Sequence, residues 1–190
     1  MAKVIVGATM SLDGFVHDAD GSVAALYSDG EELAKSSYAQ ASQDETGAVL
    51  MGRRTFEMAG DPDSYADGYE FQVPIVVVTH HPPPVAPKRN EKLWVAFVSD
   101  GVDAAVQLAT EAAEERDVTV VGGPELIRQL LAAGLVDELA VDVMPLLLGG
   151  GLRLFDGLTP AILEKVRVEE IGVRTCLRYR VVRPHGQTRD

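Results

Sequence analysis

Short apolar runs alternate with amphipathic segments along almost the whole chain. Runs such as 49–51 and 75–78 are continuously apolar, which is typical of strands buried on both faces of a mainly parallel sheet. Several of the segments between these runs have helical periodicity. The pattern predicts strands at residues 3–9, 48–51, 73–79, 93–98, 118–121, 138–143, 166–171 and 175–182, and helices at 31–42, 54–59, 102–115 and 124–133.

The last part of the chain has a different pattern. Residues 173–181 alternate in polarity, and Gly172 separates them from the preceding predicted strand. This favours an antiparallel hairpin with one face in solvent, which would close the parallel sheet. We therefore predict one α/β domain over residues 1–183, followed by a flexible tail at 184–190.

The composition is that of an ordinary globular domain, since 46% of the residues are hydrophobic and 24% are charged. The net charge of −12 disfavours duplex nucleic acid or an anionic membrane surface as a partner. The apolar run at 4–9 is too short and too β-branched for a signal peptide, and no window is long enough to span a membrane. A cytoplasmic location is therefore expected.

Metal and disulfide chemistry have little support in the sequence. Cys176 is the single cysteine, so no internal disulfide can form, and its alternating strand pattern is typical of a small buried hydrophobe. The pair His80-His81 has no third histidine or acidic residue at a fixed spacing nearby, which favours a polar loop over a metal site. We expect no bound metal.

The strand predicted at 118–121 ends in Gly122-Gly123, and Pro124 then opens a predicted helix with Glu125 in its first turn. Glycine has no Cβ, so the backbone can approach a ligand closely. The start of a helix offers unpaired N–H groups and a positive dipole end, which suit a phosphate, and proline fits the first helical position. An ordinary tight turn explains the same residues equally well.

Two other predicted strands end in polar residues that are compatible with phosphate. Gly52, Arg53, Arg54 and Thr55 follow the strand at 48–51, and Thr79 and His80 end the strand at 73–79. Because the carboxyl ends of parallel strands lie along one edge, the three loops could share one extended dinucleotide. The first strand is not followed by a glycine-rich turn, so a Rossmann site of the common type is not expected.

Six motifs occur in the order known from one family, across nearly the whole chain: Ser11-Leu12-Asp13-Gly14, Met51-Gly52-Arg53-Arg54-Thr55, Val77-Val78-Thr79, Val121-Gly122-Gly123-Pro124, Gly134-Leu135-Val136-Asp137-Glu138-Leu139 and Pro145-Leu146-Leu147-Leu148-Gly149-Gly150-Gly151. On these motifs the chain resembles the dihydrofolate-reductase-like superfamily. Within it, the chain is most similar to the reductase domain of bacterial riboflavin biosynthesis proteins, the RibD C-terminal domain.

The resemblance implies a three-layer α/β/α fold and NADPH as the cofactor. It also implies hydride transfer to a small pteridine- or pyrimidine-like heterocycle, and a homodimer formed through residues 139–151. An arginine fork matches phosphate oxygens and would select NADPH over NADH. The implied contacts are Arg53, Thr79 and His80 for the 2′-phosphate, Gly52, Arg54, Thr55, Gly122, Gly123, Pro124 and Glu125 for the pyrophosphate, and Ala8 for the nicotinamide.

Two carboxylates are candidates for the chemistry. Asp13 follows the first strand beside the expected nicotinamide, and a turn-forming role is as plausible as a catalytic one. Glu32 is followed by Leu-Ala, which resembles the buried substrate carboxylate of dihydrofolate reductases, with a pKa raised by burial. The same residue also suits the solvated acidic start of a helix. Tyr27 is the candidate substrate contact, and residues 61–70, with Tyr65 and Tyr69, form a loop long enough to act as a lid.

Two alternatives to an enzyme are compatible with the same residues. The chain could be a non-catalytic NADPH-binding or regulatory module on the same fold. It could also be an α/β interaction protein in which the glycine turns are purely structural. Ser36 replaces the aromatic residue that dihydrofolate reductases have four positions after the carboxylate, which weakens the case for dihydrofolate as substrate.

Overall fold

The computed structural model describes residues 2–158 and 160–182, so the tail predicted at 184–190 lies outside the described residues. The order of strands and helices follows the predicted alternation. The strands are β1 (Val4–Ser11), β2 (Phe15–His17), β3 (Thr46–Gly52), β4 (Ile75–Val78), β5 (Val95–Val98), β6 (Asp117–Val121), β7 (Glu138–Met144), β8 (Leu152–Arg153), β9 (Ile162–Ile171) and β10 (Arg174–Val182). The helices are α1 (Gly30–Ala34), α2 (Ser37–Glu45), α3 (Arg53–Glu57), α4 (Ser64–Gly68), α5 (Val102–Ala113) and α6 (Pro124–Ala132), with a 3₁₀ helix at Ala24–Tyr27.

An eight-stranded sheet forms the centre of the fold, with the strand order β5-β4-β3-β6-β1-β7-β10-β9. All neighbours from β5 to β7 are parallel, while β10 is antiparallel to both β7 and β9. The prediction of a mainly parallel sheet closed by a C-terminal antiparallel hairpin is therefore confirmed. A second sheet of two short strands, β2 and β8, was not predicted.

Helices cover both faces of the sheet, because strand residues alternate between two hydrophobic clusters. On β3, Leu50 belongs to the cluster that contains Ala109 of α5 and Ile127 of α6. Its neighbour Met51 belongs to the other cluster, which contains Phe56 of α3 and residues of α4. The predicted three-layer α/β/α arrangement is confirmed, and the strand ends that carry the candidate site lie at one edge of the middle layer.

The helix predicted at 31–42 is wrong as a single element. The backbone of Ser36 is extended, and its hydroxyl accepts a hydrogen bond from Ala39 N at 3.1 Å, so Ser36 caps a new helix, α2. Serine is favoured at such a position because its oxygen satisfies a first-turn N–H that lacks a helical acceptor. The preceding helix, α1, is left with little more than one turn.

The lid predicted at 61–70 is not an open loop. Part of it forms α4, and Tyr65 is buried there. The Tyr65 ring stacks on Phe56 with centroids 4.9 Å apart, and its hydroxyl donates to the Phe56 carbonyl oxygen at 3.1 Å. These contacts fix the segment against the sheet.

Within the described residues, every helix is too short or too polar to cross a lipid bilayer.

Candidate functional site

Two of the three predicted loops are in direct contact. Gly122 follows β6, and a Cβ placed on it would lie 3.2 Å from Thr55 Oγ1 and 3.5 Å from Gly52 N. The backbone N–H of Gly123 donates to Thr55 Oγ1 at 3.2 Å. Thr55 therefore joins the turn after β3 to the turn after β6, and a side chain on Gly122 would press against Thr55.

The third loop follows β4, and Arg53 holds it to the turn after β3. The guanidinium donates from Nη1 to the His81 carbonyl oxygen at 3.0 Å, and from Nε to Glu57 Oε1 at 2.6 Å. Thr79 is buried and its hydroxyl bonds the backbone of His81, while His80 is exposed. The three strand ends thus form one continuous surface, as the sequence predicted from the parallel sheet.

Helix α6 begins at this surface. Gly123 has an extended backbone with φ −68° and ψ 155°, and Pro124 occupies the first helical turn. The N–H groups of Glu125 and Leu126 have no helical acceptor, because they lie in the first turn. The Glu125 carboxylate bonds Arg128 at 2.7 Å and Gln129 at 3.2 Å, one turn further along. The positive end of the helix is therefore open to an anion.

Arg54 lies on the same side as the start of α6. The hydrogen bonds from Arg128 and Gln129 lower the pKa of Glu125, and the charge of Arg54 adds a smaller decrease. An effect of this kind requires Arg54 to be near Glu125. Arg54 is exposed, so its positive charge is available to an anion at the helix start.

Ala8 lies near the carboxyl end of β1, opposite Val141 of β7. Its side chain is partly buried against the cluster that contains α5 and α6, on the strand where a nicotinamide contact is expected. That contact stays a prediction.

Asp13 is engaged in hydrogen bonds that hold a distant loop. Its Oδ1 accepts from the Ser11 hydroxyl at 2.6 Å and from Leu148 N at 3.1 Å, and its Oδ2 accepts from Gly149 N at 2.8 Å. The hydrogen bond from Ser11, helped by those from Gly149 and Leu148, lowers the pKa of Asp13 to about 2. At neutral pH this carboxylate is ionised and carries no proton to donate.

Asp13→Asn is expected to speed hydrogen exchange of the Leu148 and Gly149 amides. An asparagine keeps one acceptor oxygen but places an NH₂ group against a backbone donor, so one bond is lost and the loop opens more often. Exchange measured by NMR or mass spectrometry checks this. Asp18→Asn is the matched control, because Asp18 accepts only from its own loop, at Asp20 N and Ser22 N. Unchanged exchange at both amides in Asp13→Asn would contradict the assignment.

Glu32 is exposed, so the expected buried position is wrong. None of the residues of α1 is buried, and the Glu32 carboxylate lies beside Gly172 in the turn between β9 and β10. A Cβ on Gly172 would lie 2.6 Å from Glu32 Oε2. The helix is too short to carry Glu32 under the sheet, and the buried carboxylate of this region is Asp29, just before α1.

The sequence reasoning missed a buried charged network centred on Arg174. This side chain is fully buried, and its Nε and Nη2 donate to the two oxygens of Asp29 at 2.9 and 2.7 Å. Nη1 donates to Thr9 Oγ1 at 3.0 Å and to Asp142 Oδ2 at 3.1 Å, and Nη2 also donates to the Leu26 carbonyl oxygen at 3.0 Å. Strand alternation places Arg174 on the same face as buried Cys176, and this was the available signal.

The same network holds a tyrosine and the single cysteine. The Tyr38 hydroxyl donates to Asp142 Oδ1 at 2.9 Å, and burial raises the pKa of Tyr38 well above its ordinary value. Burial, with Asp142 nearby, also raises the pKa of Cys176 to about 12. The Cys176 thiol is therefore protonated at neutral pH and is a poor nucleophile.

Tyr27 lies at the surface above Arg174. It is 49% exposed, and its ring centroid is 5.8 Å from the guanidinium carbon of Arg174. Burial raises the pKa of Tyr69, and the charges of Glu70, Tyr65 and Tyr27 raise it further. The contribution of Tyr27 indicates that it lies near Tyr69. Tyr27 stays the predicted substrate contact.

A surface cavity of about 460 Å³ lies beside Tyr69. It contains none of the predicted cofactor residues. Its lining residues are Ala59, Ser64, Tyr65, Asp67, Gly68 and Tyr69.

Among residues 2–158 and 160–182, no group of three or more His, Cys, Asp or Glu side chains is arranged to hold a metal ion.

The chain is similar to a protein family, to a curated protein and to solved structures. The model of the family described as RibD C-terminal domain matches residues 2–177 of this chain. Uncharacterized protein YwjB of Bacillus subtilis (strain 168) is 25% identical over 176 residues, which cover 83% of this chain and 84% of that protein.

Three solved structures illustrate the fold. A candidate riboflavin biosynthesis protein of Shewanella sp. PV-4 has a TM-score of 0.77 at 24% identity, covering 96% of this chain and all of the other. The diaminohydroxyphosphoribosylaminopyrimidine deaminase/5-amino-6-(5-phosphoribosylamino)uracil reductase of Thermotoga maritima has a TM-score of 0.67 at 15% identity, covering 95% of this chain but 57% of the other. Riboflavin biosynthesis reductase Rib7 of Saccharomyces cerevisiae has a TM-score of 0.61 at 17% identity, covering 96% and 89%.

These likenesses in structure establish the fold, which is that of the dihydrofolate-reductase-like proteins. The family match covers nearly the whole chain, including all three strand ends of the candidate site. The protein belongs to the RibD C-terminal domain family.

Proposed function

We propose that this protein is an NADPH-dependent reductase that transfers a hydride to a small pyrimidine-type heterocycle. The observation that carries the proposal is the contact of the Gly52–Thr55 turn with the Gly122-Gly123 turn, directly beside the start of α6. Family membership supports it, because RibD-type reductases generally use NADPH. NADPH supplies the hydride when bound.

The residues at this surface fit a dinucleotide phosphate. The first-turn N–H groups of α6 and the charge of Arg54 would hold the pyrophosphate. A Cβ on Gly123 would meet nothing within 4 Å, so the turn leaves open space where a ligand can approach the backbone. Arg53, Thr79 and His80 would hold the 2′-phosphate at the end of β4.

A pyrimidine is favoured over a pterin as the substrate. A carboxylate holds the amino-pyrimidine edge of a pterin by two side-by-side hydrogen bonds, so the edge of the carboxylate that presents both oxygens together must be unoccupied. Both oxygens of Asp29 accept from Arg174, and Glu32 is exposed. The Thermotoga maritima relative carries a 5-amino-6-(5-phosphoribosylamino)uracil reductase, so this uracil is the first compound to test.

The proton that accompanies hydride transfer has a constrained source. Asp13, with its pKa of about 2, is ionised across the neutral range and cannot serve as a general acid. We propose that water supplies the proton and that Asp13 acts by holding Leu148 and Gly149 in place. The rate of NADPH oxidation, measured as a function of pH, should then show no titration step from Asp13 above pH 4.

Arg53→Ala is expected to weaken NADPH binding about tenfold and to leave NADH binding nearly unchanged, since one charged hydrogen-bonding group to the 2′-phosphate is lost. Isothermal titration with both dinucleotides checks this. Arg116→Ala is the matched control, because Arg116 is an exposed arginine just before β6, at the opposite end of that strand. Equal losses for NADPH and NADH would contradict the assignment of Arg53 to the 2′-phosphate.

We propose that the homodimer expected through residues 139–151 also uses the edge strand β9. Leu139 and Val141 are buried in the chain's own sheet, whereas Leu147 is 71% exposed. Val166 and Val168 of β9 are exposed as well. A long edge strand with exposed apolar side chains is normally covered by a partner.

Val168→Glu is expected to convert the dimer to a monomer, because a carboxylate would be buried at the interface. Analytical ultracentrifugation of wild type and variant at equal concentration checks this, with Glu164→Gln on the same strand as the control. A wild-type protein that sediments as a monomer at high concentration would contradict the proposal.

One observation favours a non-catalytic NADPH-binding module as the second candidate. Asp13 is ionised and Glu32 is exposed, so neither predicted carboxylate is a protonated acid inside a pocket. That candidate predicts NADPH binding without NADPH oxidation when 5-amino-6-(5-phosphoribosylamino)uracil is added.

NADPH binding tests the shared part of both candidates. Titration of the purified protein with NADPH should give saturable binding that is tighter than binding of NADH. Binding of neither dinucleotide would remove both candidates and favour a structural role for the glycine turns.

A further inference from the structure

We propose that Arg174 is a positioning residue that fixes the 3₁₀ helix and Tyr27 at the wall of the substrate cleft. Arg174 touches neither the three strand-end loops nor the solvent. It acts on Tyr27 through the backbone of Leu26 and the side chain of Asp29. The assignment of a cleft rests on the proposed function, whereas the positioning of Tyr27 can be measured without it.

The guanidinium is the only common side-chain group that matches this position. Arginine has five N–H donors in a planar fork, and here all five are used, on Asp29, Asp142, Thr9 and the Leu26 carbonyl. A lysine ammonium has three donors and no fork, so at least two of these bonds would be lost. The contact therefore depends on arginine itself.

The segment that Arg174 holds has few other anchors. Leu26 is the one buried residue of the 3₁₀ helix, and α1 has none. Neither helix has a side-chain hydrogen bond at its N-cap. Asp29 is the N-cap residue of α1 and would ordinarily bond the helix backbone, but its carboxylate is bonded to Arg174 instead. Arg174 therefore supplies a charged link between this segment and the sheet, beside the apolar contact made by buried Leu26.

The other partners of Arg174 fix the orientation of its guanidinium beneath the Tyr27 ring. Asp142 on β7 is fixed from its other side by the Tyr38 hydroxyl, and Thr9 lies opposite it on β1. The guanidinium is thus held in one orientation, with the half-exposed Tyr27 ring over it. Loss of the guanidinium would release both the Leu26 carbonyl and the Tyr27 ring.

The chain contains a matched control on the same strand. Arg178 lies four residues after Arg174 and also joins two carboxylates, Glu138 at 2.6 Å and Glu45 at 2.7 Å. Its partners are on β7 and at the end of α2, away from Tyr27. A general loss of stability would follow from either arginine, whereas displacement of Tyr27 would follow from Arg174 alone.

The test uses a single tryptophan in place of Tyr27. Trp94 is the one tryptophan of the chain, so Tyr27→Trp with Trp94→Phe gives a reporter on the 3₁₀ helix. Adding Arg174→Lys should shift its emission to longer wavelength and raise acrylamide quenching about twofold, as the segment opens to solvent. Adding Arg178→Lys should change neither. Equal quenching with and without Arg174→Lys, or equal changes from both lysine variants, would overturn the proposal.

Asp29→Asn provides a second variant if Arg174→Lys does not fold. It keeps the side-chain volume and cuts the same link from the other end, so it should give the same shift and quenching change. An unchanged reporter in folded Asp29→Asn would count against the proposal.

Steady-state kinetics test whether the position of Tyr27 affects substrate binding. With 5-amino-6-(5-phosphoribosylamino)uracil as the probe, Arg174→Lys should raise KM about tenfold, equivalent to one lost contact, while the Kd for NADPH stays unchanged. A fall in kcat with an unchanged KM would contradict a role in forming the substrate wall. If the wild type does not reduce this uracil, the proposed substrate fails, and the reporter assay still decides the positioning of Tyr27.

Discussion

Gly123→Val is expected to reduce NADPH affinity at least about a hundredfold, which corresponds to about 2.7 kcal/mol of binding free energy. Because Gly123 is the N-cap of α6, where valine is less favourable than glycine, the fold should lose no more than about 1 kcal/mol of stability. The Gly123 backbone, at φ −68° and ψ 155°, suits valine without strain. A Cβ there would meet nothing within 4 Å, so the fold itself has room for the side chain. The branched side chain would, however, fill the space in front of the α6 N-terminus that the pyrophosphate must enter.

Calorimetric titration with NADPH and a thermal melt of the same sample measure both halves of this result. Gly68→Val is the control, because Gly68 in α4 also has open space around it but lies outside the three loops. Normal NADPH affinity in Gly123→Val would show that the turn does not face the cofactor. Equal loss of affinity in Gly68→Val would show that the effect is unspecific.

Arg174→Met is expected to lower the free energy of unfolding by about 3 to 5 kcal/mol at neutral pH. The change removes all five hydrogen bonds of the guanidinium and leaves Asp29 and Asp142 buried without their cation. Urea denaturation of wild type and variant measures the difference. Arg178→Met should cost less, since its partner Glu45 is exposed and its buried partner Glu138 keeps Lys3 as a second cation.

The cost of Arg174→Met should fall as the pH is lowered. The hydrogen bonds and charge of Arg174 hold the pKa of Asp29 below its ordinary value of 3.8, so in the wild type this pair stabilises the fold above that pH and is lost below it. In the variant, burial without a cation raises the pKa of Asp29, and protonation then relieves the penalty. A difference in unfolding free energy that stays constant from pH 4 to pH 8 would contradict this account.

The sheet and the meeting of the three loops could be predicted because their signals are local. Continuous apolar runs indicate strands buried on both faces, and glycines mark where those strands end. Parallel order then brings Gly52, Thr79 and Gly122 to one edge. The closeness of Thr55 to the Gly122-Gly123 turn follows from that geometry. The 3.2 Å hydrogen bond from Gly123 N to Thr55 Oγ1 could not be predicted from the sequence, because it depends on side-chain placement.

The charged network could not be predicted, because its members are far apart in sequence. Arg174 and Asp29 are 145 positions apart, and their pairing depends on how the 3₁₀ helix packs on β10. Glu32 and Asp29 lie three residues apart in an acidic segment, and no local feature of the sequence indicates that the Asp29 side chain is buried while Glu32 is exposed. The same holds for Asp13, whose partner Gly149 lies 136 positions away.

Helix boundaries failed where two local preferences compete. Ser36 fits a helical pattern from 31 to 42, yet its hydroxyl offers a cap for Ala39, and the cap prevails. The segment 61–70 is mostly polar and contains one proline and one glycine, which is typical of a loop. Tyr65 nevertheless folds it against Phe56, because the buried aromatic pair outweighs the weak local preference.

The most direct test of the proposed function is the NADPH absorbance of a mixture of purified protein, NADPH and 5-amino-6-(5-phosphoribosylamino)uracil. We predict a steady fall in absorbance with the wild-type protein and none with Gly123→Val at the same NADPH concentration. Constant absorbance with the wild-type protein, under conditions where calorimetry shows the protein saturated with NADPH, would contradict the assignment as a pyrimidine reductase.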